Sequence, residues 1–481
     1  MGIRTAEEYK QSLQDGRSVY ISGEKVEDIT RHRVLGVTVD TLGAGYELAQ
    51  SEDPKIKNLL VAEHPETGEP INRFFVTPQT SEDLLNRTNM IHTLMRNTGG
   101  LPFGKDIGTD CLNAAMVVAR KMGNKQYEEN ARNFLEHLRK NDLHTCGAVT
   151  CVKGDRSKEP ANQKHPDYYL RVVDKNKDGI VVKGAKLHIT SAPATNEIIV
   201  VPTRQMRENE AEYAVSFAIP SNTKGVHFIC RNGRGPWSDR EFHPDHPVRE
   251  LTEAMIVFDN VFVPWDRVFM CGEWQHSMLL AYTFATFHRF TAISYKVPSV
   301  EVMAGCAVAM AKYNGLEKTG HIREKLADIA AYVETLRALA RASALEPVMY
   351  GDIAVPNPLV ANMAKLHFAD KYHDFIKLIQ DIAGGIIATT PDKRDWDNPE
   401  IHDYLEYYLG GSEKYSTIDR LKMVHETMRH VCSHESAFHE VTTVHAEGSM
   451  AAQKMMILFE SPLDQYETRA KKAAGILPFD E

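Results

Sequence analysis

The 481-residue sequence predicts an α+β fold in which a strand-built middle is set between two helical parts. Three observations carry that expectation. Apolar residues recur every three or four positions up to about Lys140, the spacing of amphipathic helices. From about Asp142 the period drops to two, and short β-branched or aromatic runs are cut by Gly, Pro and Asn. Beyond Pro264 the helical spacing returns and persists. The implied limits are a helical domain over 1–141, a β-barrel domain over 142–270 that forms the ligand cleft, and a four-helix bundle over 271–481.

Each element has a local reason. Thr5 and Glu8 form a capping box that opens the first helix. SEDLLNRTNMIHTLMRN starts with a Ser cap, and CLNAAMVVARKMG and EENARNFLEHLRKNDL continue the helical pattern. GIVVKGAKLHIT, EIIVVPT, YAVSFAIP, GVHFICR and EAMIVFDNVFVP read as strands. Long helical segments follow near 274–314, 317–347, 357–387 and 413–459, punctuated by Gly pairs at 384 and 410. They carry apolar residues on more than one face, which predicts a bundle that also packs against another subunit. The order α, β, α is the layout of the acyl-CoA dehydrogenase architecture, with a ligand held where the three parts meet.

Composition excludes several classes. A net charge of −9 argues against nucleic acid or an anionic membrane as partner. The N-terminus lacks the apolar core of a signal peptide, Ala6 breaks the myristoylation pattern, and no apolar stretch is long enough to span a bilayer. Seven Cys without CxxC spacing fit a reducing cytoplasm. Residues 99–106, GGLPFGKD, are one residue short of a phosphate-binding loop: Gly99, Gly104 and Lys105 are in register, and Asp106 stands where a hydroxyl is required. Such a loop must follow a strand. The preceding MIHTLMRNT is helical in pattern and Pro102 restricts the backbone, so ATP binding is not expected. HETMRHVCSHESAFH places His430 and His434 four residues apart, but its HExxxH spacings turn the His pairs about 140° apart, and no metal site is expected.

From residue 5 to about 457 a set of segments resembles one flavoprotein family, that of 4-hydroxyphenylacetate 3-monooxygenase, related phenol hydroxylases and 4-hydroxybutyryl-CoA dehydratase. The segments are TAEEYKQSL with VYISGEKVED, GAVTCVKGDRS, DGIVVKGAKLHITSAPATNEIIVVPT, FDNVFVPWDRVF, FHRF with YK, YNGLEKTGHIREKLADI, QDIAGG with TTPDKRDW, and HAEGSMAAQKMMI. GAVTxxKGDR, FDNVFVPxDR and YNGxxKxxHIxxKL look like the dehydratase branch. The resemblance implies bound FAD and a homotetramer assembled through the C-terminal bundle.

Strand-end hydroxyls tune a flavin ring without blocking its faces, which selects Thr150, Thr190 and Ser191. Lys153, Asp155 and Arg156 follow in a loop suited to the pyrophosphate. Asp381, Gly384 and Gly385 resemble the family segment that reaches a neighbouring subunit's FAD. The dehydratase holds a [4Fe–4S] cluster on three Cys and a His; the matching positions here are Pro102, Asp106, His288 and Tyr295, so no cluster is expected, even with Cys111 nearby. The hydroxylases place a His at Gly147, a Tyr near Cys111 and an Arg, for which Lys105 is the only stand-in. His288 remains as general base or acid, with Lys296 two helical turns on. His445 and Glu447 add to the set; the dehydratase's carboxylate position matches Thr442, and Glu447 or Glu440 is the shifted alternative.

Three functions are open on these grounds. The first is proton abstraction next to the carbonyl of a CoA thioester, in isomerisation, dehydrogenation or dehydration. The second is hydroxylation of a phenol using reduced FAD from a partner reductase. The third is a flavin-binding protein whose catalytic set has decayed.

Overall fold

The computed structural model describes residues 2–98, 105–233 and 250–478. Gly99, Pro102 and Gly104 lie outside them. The near-phosphate loop is nevertheless flanked by helix on both sides, Ser81–Thr98 before it and Lys105–Met122 after it. The strand that a phosphate loop requires is therefore missing.

The first part opens as its sequence dictates, with Thr5 accepting from the Glu8 amide and the Glu8 carboxylate accepting from Thr5. Tyr9 and Tyr46 stack at 4.8 Å and seal this part against the middle. One departure from the sequence reading concerns residues 18–26, which fall in the stretch read as helical. Ser18–Ile21 and Glu24–Val26 form a hairpin, and Ser18–Ile21 pairs in parallel with Val226–Cys230. Four- and three-residue strands are too short to leave a periodic signal.

The middle strands form two sheets rather than the single barrel expected. The six-stranded sheet runs Glu24–Val26, Ser18–Ile21, Val226–Cys230, Glu253–Pro264, Gly179–Thr190 and Arg171–Lys175. The four-stranded sheet runs Val268–Cys271, Val215–Pro220, Glu197–Val200 and Thr145–Ala148. A bridge between Cys151 and Lys186 joins them. Alternate residues of Gly179–Thr190, such as Ile180 and Val182, enter the shared core, and Ile189 joins them past the left-handed His188, where the alternation shifts by one.

Helices Ser277–Tyr313, Gly320–Leu345, Pro358–Ala383 and Thr417–Val431 share a second core built on Val297, Met303, Leu336, Phe368, Ile379 and Val424. The segment 413–459, expected as one helix, is three: Thr417–Val431, His434–His445 and Met450–Glu460. Ser433 and Ser449 cap the second and third by accepting from Ser436 and Ala452 amides. The last break passes through Glu447 and Gly448 at φ of +58° and +95°.

The Lys105–Met122 helix lies close on the Thr145–Ala148 strand through a pair of glycines. A Cβ on Gly108 would stand 1.9 Å from Thr145 Oγ1 and 2.4 Å from its Cβ. A Cβ on Gly147 would stand 2.5 Å from Ile107 Cγ2 and 2.9 Å from Cys111 Sγ. Neither fits without moving helix from strand. Gly108→Ala is expected to destabilise the protein by about 1–3 kcal/mol through overpacking, read as a lower denaturation midpoint.

Candidate active site

The main cavity lies where the Lys105 helix, the end of the six-stranded sheet, the long Ser277 helix and the broken C-terminal segment converge. Its void, open mouth included, is about 1270 Å³.

One wall is organised by a buried carboxylate. The left-handed turn at Glu447 directs its side chain into the bundle, where none of it is exposed. Tyr295 Oη donates to it at 2.6 Å, Lys296 Nζ at 2.7 and 2.8 Å, and Lys365 Nζ lies 3.1 Å away. Lys365 is further fixed by the carbonyls of Thr443 and Val444, and Arg289 donates to the Glu447 carbonyl. Burial pushes the Glu447 carboxyl up, but the charges of Lys296, Lys365 and His288 outweigh it and hold the group well below the carboxylate range. Burial pulls Lys296 down to about 7, although Glu447 opposes this.

The facing wall carries His288 at the cavity and, behind it, Asp110. Asp110 is fully buried, accepts from Arg87 at 2.8 Å and Thr291 at 3.1 Å, and lies 3.3 Å from His288 Nδ1. The imidazole also stacks on Phe284 at 5.2 Å. A carboxylate on one ring nitrogen fixes the ring and leaves Nε2 for chemistry. One turn before Asp110, Asp106 lines the cavity. Burial first, then the Asp110 charge, raises its carboxyl to about 7 against the weaker pull of His288 and Arg87.

At the sheet end, Thr190 donates to Glu253 Oε1 at 2.7 Å. Ser191 Oγ and Glu253 Oε2 are buried without a hydrogen-bond partner, and both residues line the cavity. Buried polar atoms left in this state call for a ligand with matching groups.

The structure thus brings together His288, Lys296, Glu447, Thr190 and Ser191, with Asp106, Tyr295, His430 and Thr442 also lining the cavity, and leaves Thr150, Lys153, Asp155, Arg156, Asp381, Gly384, Gly385 and His445 off its wall. The Thr150 carbonyl accepts from Leu187 within the sheet region, and Thr150 does not line the cavity beside Thr190. Lys153 is half-buried in a left-handed turn, while Asp155 and Arg156 are exposed, with Asp155 binding Ser157 and Lys158. Asp381 is exposed and paired with Lys325; Gly384 ends its helix at φ +76° and Gly385 follows. His445 is exposed at the end of its helix, Glu440 bonds His373, and Thr442 lines the cavity. Lys105 is no substitute for an arginine here. It is buried against Asp142 and sits 3.9 Å over the Tyr46 ring. His430 contacts Glu426 and His434 contacts the Gly233 carbonyl.

Sequence reasoning missed Asp110, Arg87, Lys365 and Glu253. Asp106 and Asp110 at helical spacing, and a lysine among Ala361, Ala364 and Phe368 on an apolar face, were the available signals.

The 4-hydroxyphenylacetate 3-hydroxylase N-terminal model matches residues 5–270, and its C-terminal model matches 278–475. The chain belongs to this family. It is 32% identical to the 4-hydroxybutyryl-CoA dehydratase/vinylacetyl-CoA-Δ-isomerase of Clostridium aminobutyricum, over 98% of this chain and all of the other. It superposes on an oxygen-tolerant archaeal 4-hydroxybutyryl-CoA dehydratase from N. maritimus with TM-score 0.90 and 29% identity, covering 100% and 96% of the two chains. The oxygenase component of 4-hydroxyphenylacetate 3-monooxygenase, complexed with FAD and 4-hydroxyphenylacetate, matches with TM-score 0.88 and 27% identity over 98% and 99%.

Within the family frame, Asp106, His288 and Tyr295, the described positions that match cluster ligands, all face one cavity. Their donors are oxygen and nitrogen. Cys111 is fully buried with its thiol pushed well above its usual range by burial, and it does not reach the cavity wall. This donor set does not fit an iron–sulfur cluster, which needs thiolates.

Two predictions follow from the charges. Glu447→Gln strands two buried ammonium groups and is expected to lower the unfolding free energy by about 3–5 kcal/mol at neutral pH, measured by denaturant titration. For Asp106 the folded value, about 7, lies above the ordinary carboxylate value, so between the two the folded state binds more protons. Its contribution is complete below about pH 4 and is lost as pH rises through about 7. Stability curves of Asp106→Asn should therefore be flatter than wild type across that window.

Proposed function

We propose that the protein binds FAD in this cavity and moves a proton next to the carbonyl of an acyl-CoA thioester, shifting a double bond without net redox change. The carrying observation is the convergence of His288, backed by Asp110, with Lys296 and Tyr295, held by Glu447, in a cavity that offers acid–base groups and no thiolates. Isomerisation needs only such groups, whereas removing a hydroxyl from an unactivated β-carbon is the step for which the resemblance implies a cluster. The vinylacetyl-CoA-Δ-isomerase activity for which the Clostridium relative is named agrees with this choice.

Thr190, Ser191 and Glu253 suit the hydrogen-bonding edge of the flavin ring, and the orphaned Ser191 and Glu253 oxygens are the observation that supports the fit. Bound FAD supplies an electron-accepting ring beside the substrate. His288 takes the proton from the carbon next to the carbonyl, and Asp110 holds the imidazole and stabilises its charged form. Lys296 and Tyr295 face the charge that develops on the thioester oxygen. Exposed Asp381, Gly384 and Gly385 support a role toward a neighbouring subunit's FAD. Exposed Met455, Leu458 and Phe459 on the last bundle helix support a homotetramer. The helix–sheet–helix order supports the acyl-CoA dehydrogenase layout and its three domains. No helix among the described residues is long and apolar enough to cross a membrane, and all seven cysteines are free, which supports the cytoplasm.

The second reading, phenol hydroxylation with a partner reductase, is favoured by the FAD- and phenol-bound oxygenase structure that matches over nearly the whole chain. The glycine contact weighs against it. A His at 147 would drive its Cβ into Ile107 and Cys111.

The test supplies FAD-loaded protein with a 3-enoyl-CoA, and in parallel supplies reduced FAD, O₂ and substituted phenols. Formation of the 2-enoyl-CoA without catechol is expected, and His288→Gln should slow it by about 10²–10⁴-fold. Catechol formation with no acyl-CoA binding would replace the first reading by the second.

A further inference from the structure

The acidic side chains around the cavity differ in one respect. Glu447 is claimed by two lysines and a tyrosine, and Asp110 by Arg87, Thr291 and His288. Glu435 is paired with Arg429 and lies beside His439, and Glu253 accepts from Thr190. Asp106 is 2% exposed and lines the cavity; among the described residues its carboxyl accepts only from the amide of its own neighbour Ile107, while Arg87 reaches its backbone carbonyl instead. A buried carboxyl with no cation paired to its oxygens is most stable as the neutral acid.

We propose that Asp106 is the proton donor of the site, a neutral carboxylic acid that delivers its proton to the substrate carbon remote from the one His288 deprotonates. The inference deepens the double-bond shift proposed above and rests on it. The balance closes without an outside reactant. His288 takes the proton from C2 of a 3-enoyl thioester, and the C–H electron pair becomes the C2=C3 bond. The former C3=C4 pair moves to C4 and forms a C–H bond with the Asp106 proton. The product is the 2-enoyl isomer; return of the proton from His288 to Asp106 resets the site, and no electrons enter or leave. Asp106 is placed for this by its helix. Asp110, one turn on, orients the base, so acid and base are set by one rigid element.

The charged and titratable groups facing Asp106 are Asp110 on its own helix, Arg87 on the Ser81 helix, and His288, Tyr295 and Lys296 on the Ser277 helix, with Glu447 behind the last two. None of these is a metal ligand in this chain's donor set. Their ionisation shifts the pH at which the acid is exhausted, and the assay is therefore run as a pH profile.

The experiment separates the two proton transfers in D₂O. A saturated acyl-CoA reports exchange at C2, which needs the base alone; a 3-enoyl-CoA reports isomerisation, which needs base and acid. In Asp106→Asn, exchange is expected within about twofold of wild type and isomerisation lower by about 10²-fold or more, with Asp106→Glu recovering part of it. His288→Gln should lose both. Isomerisation at the wild-type rate in Asp106→Asn overturns the proposal, as does equal loss of both reactions. If wild type exchanges and isomerises nothing, the thioester reading fails, and Asp106 is judged by infrared difference spectra instead. A carboxylic-acid carbonyl band at mildly acid pH that vanishes in Asp106→Asn supports the neutral donor; its absence in wild type overturns it.

Discussion

Glu447 gathers two ammonium groups and a phenol onto a carboxylate with no exposed surface, and the chain bends to deliver it. Lys296 and Lys365 sit on helices whose neighbouring faces are apolar, so each is buried once the bundle closes. An unpaired buried charge costs several kcal/mol. A residue other than Gly in the left-handed region costs on the order of 1–3 kcal/mol. The ion-pair term wins, and the final helical run breaks at 446–449 instead of continuing. Gly448 and the Ser449 cap lower the cost of that break. The turn and the two helices before it, Thr417–Val431 and His434–His445, supply part of the cavity wall.

The cavity's electrostatics follow from that knot and from its counterpart across the void. Arg87, Arg289, Lys296 and Lys365 lie around it together with Asp110 and Glu447, and Arg429 on the wall is paired with Glu435. Asp106 and Asp110 lie one turn apart yet have different surroundings: the carboxyl of one lines the void with no cation paired to it, the other is held by a guanidinium, a hydroxyl and an imidazole. Two carboxyl groups in unlike environments are the arrangement from which acid and base roles are divided.

The α, β, α order was legible because long segments repeat at 3.6 or 2 residues, and His288 and Lys296 were legible because a titratable pair sat at helical spacing in an apolar run. What escaped was set by tertiary contact. The hairpin at 18–26 gains its identity from pairing with Val226–Cys230, some two hundred residues away. Glu447 was legible as a candidate carboxylate but not as the centre of an ion-pair knot, because nothing nearby in the sequence shows that Lys296 and Lys365 must be neutralised there. Thr150 and Thr190 look equivalent as strand-end hydroxyls, but only Thr190 meets the cavity, since the Thr150 region turns into a connection between sheets. The exposed Lys153–Arg156 loop and Asp381 have no local signal that distinguishes a ligand contact from a solvated turn.

The close approach of Gly108 to Thr145 and of Gly147 to Ile107 links fold to chemistry. Asp106, Ile107 and Asp110 ride on the helix whose distance from the strand these glycines set. A histidine at 147 would require the helix to retreat, carrying the acid away from the cavity and Asp110 away from His288. The room that a phenol-holding imidazole needs is the room that Ile107 fills. On this backbone the two arrangements compete for one space, and the glycine pair is what keeps Asp106 at the cavity and Asp110 against His288.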